Sequence, residues 1–367
     1  MNRRDFLGAA AAAGAVAGAA AAQSAFPRPA LAQGVREIKM VTSWPKGFPG
    51  LGTSADRLAQ RITRLSGGRL SVKVFSAGEL VPAFEVFDAV SNGTAEMYHS
   101  SDYYFQGKSK AFNFFSTVPF GLTATEMNAW VHHGGGQALW DELSAGFNMK
   151  AFPTSNTGVQ MGGWFNKEIN TLEDYKGLKM RMPGLGGEIL RRLGATVVNL
   201  PGGEIFPALQ SGAIDATEWV GPWNDLAFGF YKVAKYYYYP GFHEPGAIIS
   251  AAVNLKFWNS LSDEDKAIIA AATGAENDYG LAEFNTRNAD ALQTLVNDHH
   301  VEVRKMSDDI IQAIGQLSGD VVREIAAGDA TTTRVYESFL AFRKKMVSWS
   351  RIADQAYANA RALPFTY

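Results

Sequence analysis

The chain has 367 residues, 47% of them hydrophobic and 19% charged, with a formal net charge of −2 and no cysteine. So even a balance carries no electrostatic footprint for nucleic acid, and the missing thiols exclude disulfides, cysteine nucleophiles and cysteine-ligated zinc. The length suits one large or two smaller globular domains, and beyond the N-terminal segment no run approaches the roughly 20 apolar residues of a membrane span.

Residues 1–32 read as an export signal. A basic start is followed by a weakly apolar Ala/Gly stretch and an A-x-A site at Ala30-Leu31-Ala32, with cleavage expected after Ala32. The adjacent Arg3-Arg4, followed by Asp5-Phe6-Leu7, has the look of a twin-arginine signal; a general secretory signal is the alternative. The mature chain is therefore expected outside the cytoplasm.

After the signal, one pattern occurs twice. The tetrapeptide PGLG stands at 49–52 and again at 183–186. In the first copy, "REIKMVTSW" reads as a strand and PGLG opens a helix with Leu58, Ile62 and Leu65 on one face. "RLSVKVF" then reads as a second strand. In the second copy the order is "GLKMRM", PGLG, "EILRRLG" and "ATVVNL". Both end alike: Phe87, Gly93 and Glu96 repeat the spacing of Phe206, Gly212 and Asp215, a short helix closed by a glycine before a new strand. Each copy is β-α-β-α-β, so the fold class is α/β, two lobes each built on a parallel sheet. Ligands in such sheets sit beyond the carboxyl ends of strands. That rule selects Thr42-Ser43-Trp44, His99-Ser100-Ser101, Arg181 and Glu218-Trp219.

Between the copies, a helical pattern from Thr123 is interrupted by "HHGGG" at 132–136, and "FPTSNTGVQMGGWFN" must cross from one lobe to the other. Gly158 in that crossing is a candidate hinge. "YYYY" at 236–239 reads as a strand with alternate rings buried. From Ser262 onward the chain is almost all helix, opened by a Ser262/Asp265 cap. The expected division is 33–157 plus about 245–290 for lobe 1, and 158–244 plus about 291–367 for lobe 2 with the C-terminal helices.

Catalytic signatures are incomplete. Ser43-x-x-Lys46 has no K-T-G partner, and "HHGGG" has no G-x-S-x-G elbow. Gly184-Leu-Gly186 lacks the third glycine of a dinucleotide fingerprint, and no two histidines have H-E-x-x-H spacing. No nucleophile is paired with a base. Arg181 ends a strand before Met-Pro-Gly, and its planar fork matches a carboxylate bidentately; a structural ion pair is the alternative. Glu218 is either a pocket carboxylate or a surface one, and Trp219 either a pocket wall or plain core.

The string "TLEDYKGLKMRMPG…LGATVVNLPGGEIFPALQSGAIDATEW" resembles the solute-binding proteins of tripartite ATP-independent periplasmic (TRAP) transporters, over essentially the whole mature chain. "QMGGWF" and "ATEWVGPWND" are similar to the branch that binds 2-oxo and 2-hydroxy monocarboxylates. The resemblance implies a two-lobed periplasmic solute-binding fold with a cleft between lobes and long C-terminal helices. It implies a receptor, not an enzyme, which hands a small carboxylate such as pyruvate or lactate to the membrane permease subunits. Arg181 takes the position of the carboxylate-binding arginine. Gln160, Glu218 and the Trp219 carbonyl take those of the metal ligands, while Asn156 and Tyr103 match positions lining the ligand. The bound cation would be sodium or calcium, and with one protein carboxylate the balance tips toward a monovalent ion. Related proteins include dimers built by C-terminal helices, which leaves monomer and homodimer open. Two other readings stand beside this one: an exported hydrolase acting on a small carboxylate, and a receptor of the same fold for a carboxylate without metal.

Overall fold

The computed structural model describes residues 34–366, so the expected signal and its cleavage site lie outside the described residues. Eleven strands are described: β1 (Arg36–Thr42), β2 (Leu70–Phe75), β3 (Met97–Ser100), β4 (Met149–Asn156), β5 (Gly163–Phe165), β6 (Lys179–Arg181), β7 (Thr196–Val198), β8 (Ala216–Thr217), β9 (Tyr236–Tyr239), β10 (Ile248–Asn254) and β11 (Glu302–Lys305). They form two sheets with orders β2-β1-β3-β10-β4 and β11-β9-β5-β8-β6-β7.

The repeated pattern is one structural unit present twice. β2-β1-β3 in the first sheet and β7-β6-β8 in the second have the same order, and β1/β3, β6/β7 and β6/β8 pair in parallel. Each unit is then extended by an antiparallel strand, β10 beside β3 and β5 beside β8. The first glycine of PGLG turns the chain from strand to helix with positive φ in both copies, +72° at Gly50 and +62° at Gly184.

Burial follows from this layering. Ile38 and Met40 face one core with Leu58 and Ile62, while Val41 faces another with Phe87, Tyr98, Trp130 and Trp140. A sheet covered on both faces, here mixed because β10 runs antiparallel to its neighbours rather than wholly parallel, gives such continuous buried runs. Helix Gly52–Leu65 buries Ala55, Leu58, Ala59 and Ile62, but Leu65 at its end is exposed, since the apolar stripe has rotated away from the sheet. The tyrosine strand departs from alternation. Tyr237 and Tyr238 are both buried, because β9 is an inner strand between β5 and β11 with a core on either face. The break at "HHGGG" separates helices Ala124–His133 and Gly136–Ala145.

The C-terminal region holds helices Asp263–Asn297, Asp308–Ala326 and Ala330–Ser350. The first has 35 residues, and Ser262 Oγ caps it by accepting from the Asp265 N–H at 3.1 Å. It packs on both sheets: Ile269 and Ala272 join the first lobe's core, while Phe284 and Leu295 join a core with Trp164 and Tyr237. It lies so close to β4 that a Cβ on Gly280 would stand 2.1 Å from Ser155 Oγ. The other two helices pack mainly on different cores. Helix Asp308–Ala326 places Ile310, Ile314 and Val321 in the second core, but Ala330–Ser350 places Val335 and Phe339 against Phe114 and Trp130 of the first. The apolar face of this last helix finds its complement in the aromatic cluster at 112–115.

Candidate ligand-binding site between the sheets

Parallel pairing of β6 with β8 sets Arg181 opposite Thr217, which brings Glu218, the residue beyond the strand, alongside the guanidinium. Arg181 is fully buried. Its Nε donates to Leu200 O at 3.2 Å, Nη1 to Glu218 O at 3.0 Å and to the Glu218 carboxylate, and Nη2 to the Tyr104 hydroxyl at 3.5 Å. Its Cζ sits 5.0 Å from the centroid of the Trp219 ring. The arginine is thus in an ion pair, but within its own lobe. Glu218, at 1% exposure, is no surface carboxylate.

The other Glu218 oxygen meets His243 Nε2 at 3.2 Å. His243 and Glu244 lie in the turn from β9 to β10, which is fastened to the crossing segment by main-chain bonds from Gly241 N to Gln160 O (2.9 Å) and from Gln160 N to Glu244 O (3.1 Å). Gln160 Nε2 donates to Glu244 Oε2 at 2.7 Å and to Thr157 Oγ1 at 3.0 Å. Burial, then the neighbouring Glu218 charge, pushes the Glu244 carboxyl well above the usual carboxylate range, against the pull of Arg181 and a Tyr103 hydrogen bond. Burial likewise raises the Tyr103 and Tyr104 phenols, the latter to about 12, so both hydroxyls remain donors.

Beside these groups lies a small cavity whose walls include Trp44, Tyr103, Thr157, Gln160, Trp219 and Glu244. Trp44 and Trp219 close it edge to face, with ring centroids 6.3 Å apart. Buried polar atoms without a hydrogen-bond partner gather here: Gln160 Oε1, Trp219 Nε1, His243 Nδ1 and, in the adjoining turn, Asn156 Nδ2. Each such atom costs about 1–3 kcal/mol if nothing meets it, so the site is built to receive a polar partner. Oxygen donors, Gln160 Oε1 and the Glu218 carboxylate with Glu244 beside them, fit a hard cation rather than zinc or copper.

Of the residues selected from sequence, Arg181, Glu218, Trp219, Gln160 and Tyr103 come together. Asn156 stands one step away, its Oδ1 accepting from Gly158 N at 3.0 Å while Thr157 takes the place in the cavity wall. Sequence reasoning missed His243, Glu244, Tyr104 and Thr157. The first two carried a signal, an acid and an imidazole side by side in the Gly/Pro-bounded turn "PGFHEPG". Ser43 and Lys46 do not meet: Ser43 Oγ bonds Ala83 O and Ser100 Oγ, whereas Lys46 is exposed and pairs with Glu79.

Behind the cavity a buried relay runs one way. Trp44 Nε1 donates to His99 Nδ1 at 2.8 Å, His99 Nε2 donates to Ser54 Oγ at 3.5 Å, and Ser54 donates to Glu276 Oε1 at 2.9 Å. Arg57 and Arg61 hold Glu276 in turn. Burial, with a smaller effect from the Arg57 charge, lowers the His99 pKa to about 3 from 6.5. A depressed folded-state pKa gives stability that is full above pH 6.5 and lost as pH falls toward 3, because only the unfolded chain takes up the proton. Urea titrations of His99→Gln are expected to show a slope of stability against pH shallower by up to about 1.4 kcal/mol per pH unit between 6 and 4. An unchanged slope would show that His99 protonates alike in both states.

The family model of bacterial extracellular solute-binding proteins, family 7, matches residues 40–329. The chain belongs to that family. A monocarboxylate 2-oxoacid-binding periplasmic protein of Nostoc sp. is 46% identical over 321 residues, 88% of either chain. A TRAP transporter solute-binding protein of Bordetella bronchiseptica, a dimer with calcium and picolinate in its active site, superimposes with TM-score 0.87 at 38% identity, covering 89% of this chain and 97% of that one. One from Pseudoalteromonas atlantica, with bound sodium and pyruvate, gives TM-score 0.86 at 38% identity, with 89% and 99% covered. The chain is a solute-binding protein of the TRAP type, with the two-sheet α/β fold of these relatives, and not an enzyme.

Proposed function

We propose that this receptor captures a small 2-oxo or 2-hydroxy monocarboxylate, such as pyruvate or lactate, as a metal chelate and delivers it in the periplasm to the membrane permease of a TRAP transporter. The observation that carries the reading is a buried Arg181–Glu218 pair beside a small cavity lined by Trp219, Tyr104 and Gln160, whose Oε1 has no partner. Arg181 pairs with the ligand carboxylate. Gln160, Glu218 and the Trp219 carbonyl hold sodium or calcium, and the cation offers the acid two adjacent coordination positions. With a cation in place, Glu218 faces positive charge instead of the anion. The names of the relatives support this: one binds 2-oxoacids, another holds sodium with pyruvate and a third calcium with picolinate.

Calorimetry with pyruvate and lactate, before and after chelation and in sodium-free buffer, tests it. Binding is expected to vanish without a cation, and Glu218→Gln to weaken it by about 10- to 100-fold. If Glu218→Gln binds the acid as tightly as the parent while Arg181→Lys does not, the receptor takes a carboxylate without metal. The lobes close on a hinge at Thr157-Gly158, where Gly158 has φ +68°. The exposed Trp349, Ile352 and Tyr357 offer an apolar face for a homodimer through the C-terminal helices. Solution scattering reads both, and a ligand-independent radius or a monomer mass removes the corresponding proposal.

A further inference from the structure

One wall of the proposed ligand cavity is held from behind. Trp44 follows β1 of the first sheet and meets Trp219, which follows β8 of the second. We infer that His99 is a positioning residue for the ligand: by accepting the Trp44 indole N–H it fixes that ring as a cavity wall, and through it the two rings that flank Arg181. The inference rests on the reading of this cavity as the ligand site, and it is independent of which cation the site holds.

His99 is a fixed point. Its strand β3 lies between β1 and β10, and the register sets it opposite Thr42 on one side and Ala251 on the other. The imidazole is fully buried, and Nδ1 accepts from Trp44 Nε1 at 2.8 Å. An indole nitrogen only donates, so Nδ1 keeps its lone pair. Burial, with the smaller effect of the Arg57 charge, lowers the His99 pKa to about 3, and the acceptor therefore persists at neutral pH.

Trp44 carries this constraint forward. Its ring centroid lies 6.3 Å from that of Trp219 and 6.2 Å from that of Tyr104. The Trp219 ring stands 5.0 Å from Arg181 Cζ, and the Tyr104 hydroxyl meets Arg181 Nη2 at 3.5 Å. All three rings are walls of the cavity. The Trp44 main chain is held separately, its carbonyl accepting from Ala77 N at 2.9 Å, so the bond to His99 governs the side chain alone. Without an acceptor, a buried indole N–H is costly unless the ring turns toward water, and turning it opens the wall against which Trp219 and Tyr104 pack. Ligand binding, which needs that wall in place, then bears the cost.

Calorimetry of pyruvate binding, in buffer containing both sodium and calcium, tests this through a double-mutant cycle of Trp44 and His99. His99→Leu is expected to weaken binding by about 10-fold. His99→Asn, whose amide oxygen takes the place of Nδ1, should recover affinity to within about 3-fold of the parent. In the Trp44→Phe background His99→Leu should cost less than about 2-fold, since no indole N–H is left to hold. Ser54→Ala removes the partner on the far side of His99; it should lower the melting temperature and keep affinity within about 3-fold of the parent. Parental affinity in His99→Leu overturns the inference, as does an equal loss in both backgrounds or a failed rescue by asparagine. If His99→Leu does not fold alone, Trp44→Phe is compared with Trp44→Phe/His99→Leu, in which neither partner of the bond is left unpaired by the other. Equal affinities there support the inference and a further loss overturns it. A parent that binds no pyruvate brings down the proposed function, and this inference with it.

Discussion

Arg181→Ala is expected to abolish binding of pyruvate and to lower stability together. Truncating one member of a buried hydrogen-bonded charge pair costs about 2–5 kcal/mol of binding. Here the same side chain also balances Glu218 inside the protein, and leaving that carboxylate alone costs about 3–5 kcal/mol of folding free energy. Arg181→Lys separates the two effects. Lysine keeps the positive charge opposite Glu218, so the melting temperature should recover most of the loss. It cannot reproduce the fork that reaches Leu200 O, Glu218 and Tyr104 at once. Affinity should therefore stay at least about 10-fold below the parent. Calorimetry beside a thermal melt reads both, and a lysine variant with parental affinity would remove Arg181 from the ligand site.

Gly241→Ala is expected to be nearly as damaging, for a different reason. An added Cβ would lie 2.4 Å from Gln160 O, 2.6 Å from Gln160 C and 2.9 Å from Met161 O, all main-chain atoms with no side-chain freedom to give way. The turn carrying His243 and Glu244 must then part from the crossing segment, breaking the bonds that hold Gln160. A cost of about 3 kcal/mol in stability is expected, with loss of cation-dependent pyruvate binding even at temperatures where the variant is folded. Gly212→Ala is the control. There φ is +73° and no atom stands within 4 Å of an added Cβ, so about 1–2 kcal/mol of backbone strain is expected with binding intact. Equal loss of binding in both variants would mean that general destabilisation, not the turn, is responsible.

Much of this was legible in the sequence because it repeats. PGLG with its flanking strands is a local signal, and its first glycine needs the left-handed backbone in both copies. Arg181 and Glu218 were legible because a strand end is a positional rule, and parallel pairing turns two strand ends into neighbours. Glu244 was not legible by that rule. It reaches the cavity from a turn, and main-chain and side-chain bonds between segments 84 residues apart set it beside Gln160. Tyr237 and Tyr238 show the same limit: alternation predicts one buried face, but whether the other face is covered depends on distant chain. The C-terminal helices were placed by their position in the chain, which carries no signal that Ala330–Ser350 packs on the aromatic cluster at 112–115.

The 35-residue helix Asp263–Asn297 has a thermodynamic consequence. At about 1.5 Å per residue it is roughly 50 Å long, and it contributes to the cores of both sheets: Ile269 and Ala272 to one, Phe284 and Leu295 to the other. Neither core can lose its order without stripping the apolar cover from part of a helix that the other core still needs. Helix formation is itself cooperative along its length, so damage at one end is felt at the other. A chain with two sheets would ordinarily melt in two steps. This one should melt in one, with calorimetric and van't Hoff enthalpies in agreement.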